Sequence, residues 1–271
     1  MDELRLIDTF SGIGGFSYAA EKLVGGFKTV AFVECEPYCQ KVLKKHWPDV
    51  PIYEDIKSYQ PEPYSADVIC GGFPCQDISV AGQGKGITEE TRSGLFYELM
   101  RVVRLVRPKY IVLENVAAIL NNGLGIVLGE LAKAGFDCEY ACIPASALGA
   151  CHKRERIWIT AYATSVNRRQ EGEIQTRRNT TVRSSVADSM LQRSQRATNK
   201  RVQGKGIWRA TSRRLYPNWR QYESQPVLRR GNDGLSNRVH RLKALGNSIV
   251  PQVAAIPLQR VLDLHHSAIH I

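Results

Sequence analysis

The chain has 271 residues and a formal net charge of +11, which is long enough for one substantial core and a second, smaller lobe. No apolar run approaches the roughly 20 residues of a membrane span, and the polar start Met1-Asp2-Glu3 is not a signal peptide, so we expect a soluble cytoplasmic protein. The seven cysteines show neither a disulfide framework nor paired metal-ligand spacing, which predicts reduced thiols and no bound metal.

Short apolar runs alternate with longer amphipathic ones over the first 163 residues. In chain order, the pattern predicts a strand at 4–8, a glycine loop and helix at 11–23, a strand at 29–33, a helix at 37–46, a strand at 67–70, a helix at 95–106 and a strand at 110–113. The runs 138–143 and 157–163 predict a closing antiparallel pair, and the stretch Gly246–Pro251 is predicted to open a final helix. This alternation predicts an α/β fold with a doubly wound, mainly parallel sheet.

The positive charge is concentrated in residues 164–241, which hold 18 Lys and Arg residues against 5 Asp and Glu residues. Of these 18 cations 16 are arginines, whose planar guanidinium group pairs bidentately with phosphate and with the guanine edge. The segment therefore predicts a nucleic-acid partner. A solvated or partly disordered basic tail is the competing interpretation, because apolar residues are sparse here.

These patterns predict three parts of the chain. We expect a catalytic and cofactor-binding domain at 1–163, a small basic second lobe at 164–235, and a segment at 236–271 that returns to the catalytic domain.

The loop after the first strand carries the glycines Gly12, Gly14 and Gly15 and leads into a helix. Ser17 occupies the third glycine position of the dinucleotide-binding pattern, which argues against a dinucleotide. Glu34 ends the second strand, 20 residues beyond Gly14, where a carboxylate can accept hydrogen bonds from ribose hydroxyls. The loop therefore favours an adenosine-bearing cofactor, although glycines also serve ordinary strand-to-helix turns.

Cys75 follows a proline in the turn Gly71–Gln76, directly after the strand predicted at 67–70. Open α/β sheets bind ligands at the carboxyl ends of their strands, and the paired glycines with the proline predict a stiff, tight turn. Cys75 is therefore a candidate nucleophile, and a buried small hydrophobe is the alternative. Glu114 ends a later strand and should open on the same edge, where desolvation raises the pKa of its carboxyl group. A turn-capping glutamate is the alternative for Glu114.

Two arginines, Arg154 and Arg156, lie directly before the last predicted strand. Alternation along the strand places Arg154 and Arg156 on one face and Glu155 on the other. Such a pair near the catalytic edge could hold a carbonyl oxygen and a phosphate, and a solvated strand end is the competing interpretation.

Five motifs in this order closely resemble those of the cytosine-5 DNA methyltransferase family: Phe10–Gly15, Gly72–Gln76, Glu114–Val116, Lys153–Arg156 and Gly246–Ser248. The stretch Leu235–Asn247 resembles the compact enzymes carried by bacteriophages and prophages. The resemblance implies the Rossmann-like fold of S-adenosyl-L-methionine-dependent methyltransferases. It also implies double-stranded DNA as partner, a monomer, and the cytoplasm of a bacterial or phage-infected cell.

The family's mechanism implies roles for the residues that match its motifs. Cys75 would add as a thiolate to carbon 6 of a flipped cytosine, which makes carbon 5 nucleophilic enough to take the methyl group. Glu114 would contact ring nitrogen 3 and the exocyclic amine, and Arg156 would hold the carbonyl oxygen with Arg154 nearby. The loop 76–92 resembles the family's mobile catalytic loop.

The resemblance implies a cofactor site for S-adenosyl-L-methionine. Its implied residues are Phe10, Gly12, Gly14, Gly15, Glu34, Asp55, Ile56, Leu95, Asn247 and Ser248. Cys35 stands where the family often has an aromatic or bulky apolar residue, and the basic segment occupies the position of the target-recognition domain.

Other functions are compatible with parts of this pattern. An RNA cytosine-5 methyltransferase would share the catalytic core, and a non-catalytic DNA-binding relative would share the fold. The intact Cys75, Glu114 and Arg156 argue against the non-catalytic relative. Ser17 argues against a nicotinamide oxidoreductase, which would also leave Cys75 without a role.

Overall fold

A seven-stranded sheet lies at the centre of the fold. The computed structural model describes residues 3–74, 94–164 and 244–269. Its strands are β1 (Leu4–Thr9), β2 (Phe27–Val33), β3 (Ile52–Tyr53), β4 (Val68–Gly71), β5 (Tyr110–Val116), β6 (Phe136–Pro144) and β7 (Glu155–Ala163). They lie side by side in the order β3-β2-β1-β4-β5-β7-β6. The order reverses between β1 and β4, and such a switch point is where open α/β sheets bind ligands.

Strands β1 to β5 are parallel, and β7 runs antiparallel between β5 and β6. The predicted doubly wound, mainly parallel sheet and its closing antiparallel pair are thereby confirmed. Strand β3 was not predicted, because two residues are too few to show an alternating pattern.

Helices connect the strands and cover the sheet. They are α1 (Gly15–Tyr18), which continues as a π-helical segment (Ala19–Val24), α2 (Pro37–His46), α3 (Leu95–Val106), α4 (Ile119–Asn122), α5 (Leu124–Lys133) and α6 (Pro251–Ile269). The stretch Gly246–Pro251 was predicted to open the last helix, and α6 begins at Pro251, the last residue of that stretch. Proline is suited to the first turn of a helix, and it pushes the preceding residue away from helical conformation.

The two faces of the sheet carry separate apolar clusters. Leu6 and Ile7 are neighbours in β1 and both are buried, but they belong to opposite faces because strand side chains alternate. Ile7 packs in the cluster that contains the apolar faces of α3 and α5. Leu6 packs in the cluster that contains Phe16 at the start of α1 and Leu258 of α6. Burial on both faces is why the central strands are continuous apolar runs.

Helix α6 returns the end of the described chain to the sheet. Arg260 binds Glu139 of β6 with two hydrogen bonds, from Nε at 3.0 Å and from Nη2 at 2.7 Å. The paired geometry and partial burial make this contact stronger than an exposed ion pair. Most of the predicted basic lobe lies outside the described residues. Within the described ranges, no helix combines the length and apolarity needed to cross a bilayer.

Candidate active site

A cleft of about 340 Å³ opens at the carboxyl ends of the parallel strands. Seven of the residues predicted from sequence line it: Phe10, Gly12, Glu34, Glu114, Arg154, Arg156 and Asn247. Pro74, the residue before Cys75, also lines the cleft, whereas Cys75 itself lies outside the described residues. Residues from five separate stretches of the chain, 10–39, 72–74, 114–116, 154–156 and 244–247, thus meet at one edge of the sheet.

The loop after β1 has an unusual backbone that is tied to the end of β2. Phe10 and Gly12 have positive φ angles of 52° and 55°. The Gly12 amide donates to Glu34 Oε2 at 2.6 Å, and the Glu36 amide donates to Glu34 Oε1 at 2.8 Å. These bonds hold the Glu34 carboxylate at the cleft wall. Each of its oxygens can accept a further hydrogen bond, so the carboxylate can still bind a hydroxyl group.

Gly14 and Gly15 are needed for close packing rather than as cleft wall. A Cβ atom at Gly14 would lie 2.6 Å from the Trp47 ring, and one at Gly15 would lie 3.1 Å from Ile249 Cβ. Gly14 also has a positive φ of 85°, which other residues rarely adopt. The absence of a side chain at both glycines therefore lets Trp47 and Ile249 pack closely against the loop.

Four other predicted cofactor residues are not among those that line the cleft. Asp55 Oδ1 accepts the Lys57 amide at 2.9 Å and so caps a turn. Ile56 is 4% exposed and packs in the core on the α3 face, and Leu95 packs against the same core. Ser248 Oγ donates to the Leu245 carbonyl at 2.8 Å. Their roles in binding stay predictions.

Glu114 and Arg156 form the charged centre of the cleft. Arg156 Nε lies 3.0 Å from Glu114 Oε1, and both side chains are largely buried. Burial raises the pKa of Glu114, and the nearby charges of Arg156 and Arg154 partly oppose this shift. A Cβ atom at Gly72 would lie 3.1 Å from Glu114 Oε2, so the glycine leaves room for the carboxyl group. The raised pKa agrees with the direction predicted from the strand-end position.

Arg154 lies directly before β7 and has a positive φ of 29°. Its Nη1 donates to the Gly246 carbonyl at 3.0 Å, and its Nη2 donates to the Ser248 carbonyl at 2.6 Å. Burial and the like charge of Arg156 lower its pKa. Glu155, between the two arginines, instead pairs with Lys153 at 3.1 Å. Both arginines therefore reach the cleft, but they bind different partners.

Asn115 belongs to the motif Glu114–Val116, but the sequence analysis assigned it no role. It is buried, and its Nδ2 donates to the Phe73 carbonyl at 3.2 Å. Its Oδ1 accepts the Val116 amide at 2.8 Å. Asn115 thereby holds the backbone at Phe73 against the end of β5. An amide side chain at the end of an otherwise apolar strand was the signal for this role.

Asp8 is the second residue that the sequence interpretation missed. It is fully buried in β1, where its Oδ2 accepts the Ser17 amide at 3.2 Å and the Ser17 hydroxyl at 2.8 Å. These bonds anchor the helix that follows the glycine loop. Burial raises the pKa of Asp8 to about 8. A charged residue inside an apolar strand was the available signal.

Asp8→Asn is expected to remove a pH dependence of stability. With its pKa raised from 3.8 to about 8, folded Asp8 keeps a proton that the unfolded chain has released over this range. The free energy of unfolding of the wild type should therefore fall as pH rises from 3.8 to about 8. Urea denaturation at pH 5 and pH 8 checks this, with Asp49→Asn, an exposed aspartate, as the control. Equal pH slopes for wild type and Asp8→Asn would contradict it.

The described residues contain no cluster of three or more His, Cys, Asp and Glu side chains that could hold a metal ion. The cleft instead combines carboxylates, arginines and glycine-rich backbone.

Comparison with known proteins gives consistent matches. The family model for C-5 cytosine-specific DNA methylase matches residues 4–241. The chain is 34% identical over 178 residues to Type II methyltransferase M.HpaII of Haemophilus parainfluenzae, covering 61% of this chain and 48% of that protein. It is 31% identical over 168 residues to M.HhaI of Haemophilus parahaemolyticus, covering 60% of this chain and 50% of that protein. The chain thus spans about half the length of these curated relatives.

A solved structure shares the fold. The methyltransferase EhMeth of Entamoeba histolytica superposes with a TM-score of 0.50 at 18% identity, over 60% of this chain and 53% of that one. The family model covers most of the chain, including the glycine loop, the Glu114 strand and the two arginines. This chain belongs to the C-5 cytosine-specific DNA methylase family.

Proposed function

We propose that the protein transfers a methyl group from S-adenosyl-L-methionine to carbon 5 of cytosine in double-stranded DNA. The reaction passes through a covalent bond between Cys75 and carbon 6 of a base that is flipped out of the helix. The observation that carries this proposal is the buried Glu114–Arg156 pair in the same cleft as the Glu34-tied glycine loop. Membership of the family supports the reaction type.

The cleft fits the cofactor chemically. The Glu34 carboxylate has acceptor capacity for ribose hydroxyls, and Gly12, which has no side chain and has open space beside it, lets a ligand approach the backbone closely. Glu34 and Glu36 both line the cleft and give it negative charge, which favours binding of a cofactor that carries a sulfonium cation. When bound, S-adenosyl-L-methionine supplies an electrophilic methyl group. Phe10 and Asn247 would complete this part of the cleft.

Glu114 and Arg156 are suited to polarise a cytosine ring. With its pKa raised, Glu114 can donate a proton or hydrogen bond to ring nitrogen 3 as electron density grows there. Arg156 uses Nε for Glu114 and Nη1 for the Glu155 carbonyl at 2.9 Å. Its Nη2 is the donor that we assign to the carbonyl oxygen of the base.

Cys75 forms a covalent bond to the base and is regenerated at the end of the cycle. The thiolate adds to carbon 6, and the electron pair of the 5,6 double bond then forms a bond from carbon 5 to the methyl group, while the sulfur–methyl bond would break and leave its electron pair on sulfur as a neutral thioether. A base removes the proton from carbon 5, and the electron pair of that C–H bond restores the double bond as the Cys75 thiolate leaves. Cys75 ends the cycle unchanged.

The basic segment supports DNA as the substrate. Its 16 arginines among 18 cations can contact phosphates along a duplex. We further propose that the protein acts as a monomer in the cytoplasm of a bacterial or phage-infected cell.

Transfer of labelled methyl groups tests the proposal. The protein is incubated with methyl-labelled S-adenosyl-L-methionine and long unmethylated duplex DNA of mixed sequence. We expect label in this DNA and none in the same DNA synthesised with 5-methylcytosine, whose carbon 5 is blocked. Label in RNA of the same sequence instead would replace DNA by RNA as the substrate, and label in neither would contradict the proposal.

Duplex DNA that contains 5-fluorocytosine tests the covalent step. Fluorine at carbon 5 cannot leave as a proton does, so the adduct with Cys75 should accumulate. Denaturing gel electrophoresis and peptide mass spectrometry would detect the protein–DNA species and its attachment at Cys75. Attachment at another residue would contradict the mechanism.

A further inference from the structure

The segment 244–249 closes one side of the cleft. Ala244, Gly246 and Asn247 line the cleft, although they are distant in sequence from its other walls. Ile249 packs against the glycine loop, since a Cβ atom at Gly15 would lie 3.1 Å from Ile249 Cβ. The segment must therefore be held in one position for the cleft to keep its shape.

The Arg154 side chain makes the polar contacts that hold this segment to the β7 end. Its two terminal nitrogens donate to the carbonyls of Gly246 and Ser248, which lie on either side of Asn247. The planar guanidinium group fixes both carbonyls at once and so restricts the backbone of Asn247. Both hydrogen bonds are charge-assisted, which makes them stronger than bonds between neutral groups.

The backbone conformation of Arg154 also indicates that the surrounding structure holds this residue in one position. Its φ of 29° is sparsely populated for residues other than glycine, and such strain persists only where the surrounding structure determines it. Within the described part of the chain, Arg154 makes no ion pair, whereas Arg156 pairs with Glu114. The two arginines of the Lys153–Arg156 motif therefore bind different groups. Arg154 binds backbone carbonyls of the segment 244–249, whereas Arg156 binds the Glu114 carboxylate.

We propose that Arg154 is a positioning residue for the cofactor side of the cleft, acting through Asn247, and does not contact the cytosine. This inference rests on the proposed function, because it assumes that S-adenosyl-L-methionine binds beside Asn247. Loss of Arg154 frees the 246–248 backbone and weakens cofactor binding. Loss of Arg156 acts instead on the methyl-transfer step through Glu114 and the base.

Calorimetric titration of the full chain with S-adenosyl-L-methionine, without DNA, tests this division. Arg154→Met is expected to raise the Kd roughly 10- to 100-fold, the effect of losing charge-assisted hydrogen bonds. Arg154→Lys keeps the charge but has a single donor nitrogen in place of the two that bind the two carbonyls, so its Kd should lie between those of wild type and Arg154→Met. Arg107→Met is the matched control, because Arg107 also has a positive φ, of 55°, but is exposed and does not line the cleft. Its Kd should equal that of wild type.

The comparison with Arg156→Lys separates positioning from chemistry. For Arg154→Met the rise in Kd should exceed the fall in kcat at saturating cofactor, and for Arg156→Lys the fall in kcat should exceed the rise in Kd. Hydrogen exchange of the 246–249 amides should also speed up in Arg154→Met. A lower melting temperature with an unchanged Kd, or a loss of kcat alone, would overturn the proposal. Because cofactor binding is measured without DNA, failure of the wild type to methylate any nucleic acid would count against the proposed function and leave this comparison intact.

Discussion

Cys75→Ser is expected to lower methyl transfer to DNA by about 10³-fold or more while S-adenosyl-L-methionine still binds. A serine hydroxyl is not ionised near neutral pH and is a much weaker nucleophile than a thiolate, so addition to carbon 6 fails. The serine differs from cysteine by one atom, so we expect it to leave the Glu34 loop unchanged. Label transfer and calorimetric titration with the cofactor measure the two effects separately.

Cys151→Ser is the control for this prediction, because Cys151 is exposed and does not line the cleft. It should transfer label at the wild-type rate and still form the adduct with 5-fluorocytosine DNA, which Cys75→Ser should not. Label transfer by Cys75→Ser at the wild-type rate would show that the reaction does not pass through this thiol.

Glu114→Gln is expected to reduce kcat by roughly 10²- to 10³-fold, the usual effect of removing one group that stabilises developing charge. A glutamine can still form a hydrogen bond to the ring, but it cannot transfer a proton to nitrogen 3. The Kd for S-adenosyl-L-methionine should stay close to that of wild type. Rates at saturating cofactor and DNA measure the loss, and a kcat within twofold of wild type would contradict the role of Glu114.

The stability of the Glu114 variants separates catalysis from folding. Burial raises the pKa of folded Glu114 above its ordinary value of 4.5. The folded state therefore binds the Glu114 proton more tightly than the unfolded chain does, which adds to the free energy of unfolding. This stabilisation is complete below pH 4.5 and is lost as pH rises through the folded pKa. Glu114→Gln removes this loss and should fold stably at pH 8. Arg156→Met removes the counter-charge, raises the Glu114 pKa further, and should steepen the loss with pH. Denaturation at pH 5 and pH 8 checks both, and a flatter slope for Arg156→Met would contradict the assignment of the pair.

Much of the secondary structure follows from local pattern. The helix at 37–46 was predicted with its observed bounds, and the strand at 110–113 was predicted with its end three residues short. Each element buries its own apolar face, so its periodicity is present in its own residues. The stretch Gly246–Pro251 was expected to open the last helix, and α6 begins at its last residue, Pro251, because proline is suited to the first turn of a helix.

The candidate site was predictable in its chemistry but not in its contacts. Glu114 was expected to be desolvated because it ends a buried strand, and the raised pKa agrees. Nothing near Ile56 indicated that its side chain packs in the core, away from the cleft wall. Similarly, the glycines of the loop differ in role because Trp47 and Ile249 pack behind Gly14 and Gly15. Such differences depend on residues that are distant in sequence.

By itself the sequence determined the α/β class, the positions of most strands and the family resemblance, because each depends on residues close together in the chain. Only the tertiary structure decided that β7 lies between β5 and β6 and that Arg156 meets Glu114 at 3.0 Å. It also decided that Arg154 binds backbone 92 and 94 residues away. Contacts between distant segments depend on how the whole core packs, so no local sequence pattern predicts which carbonyl group an arginine binds.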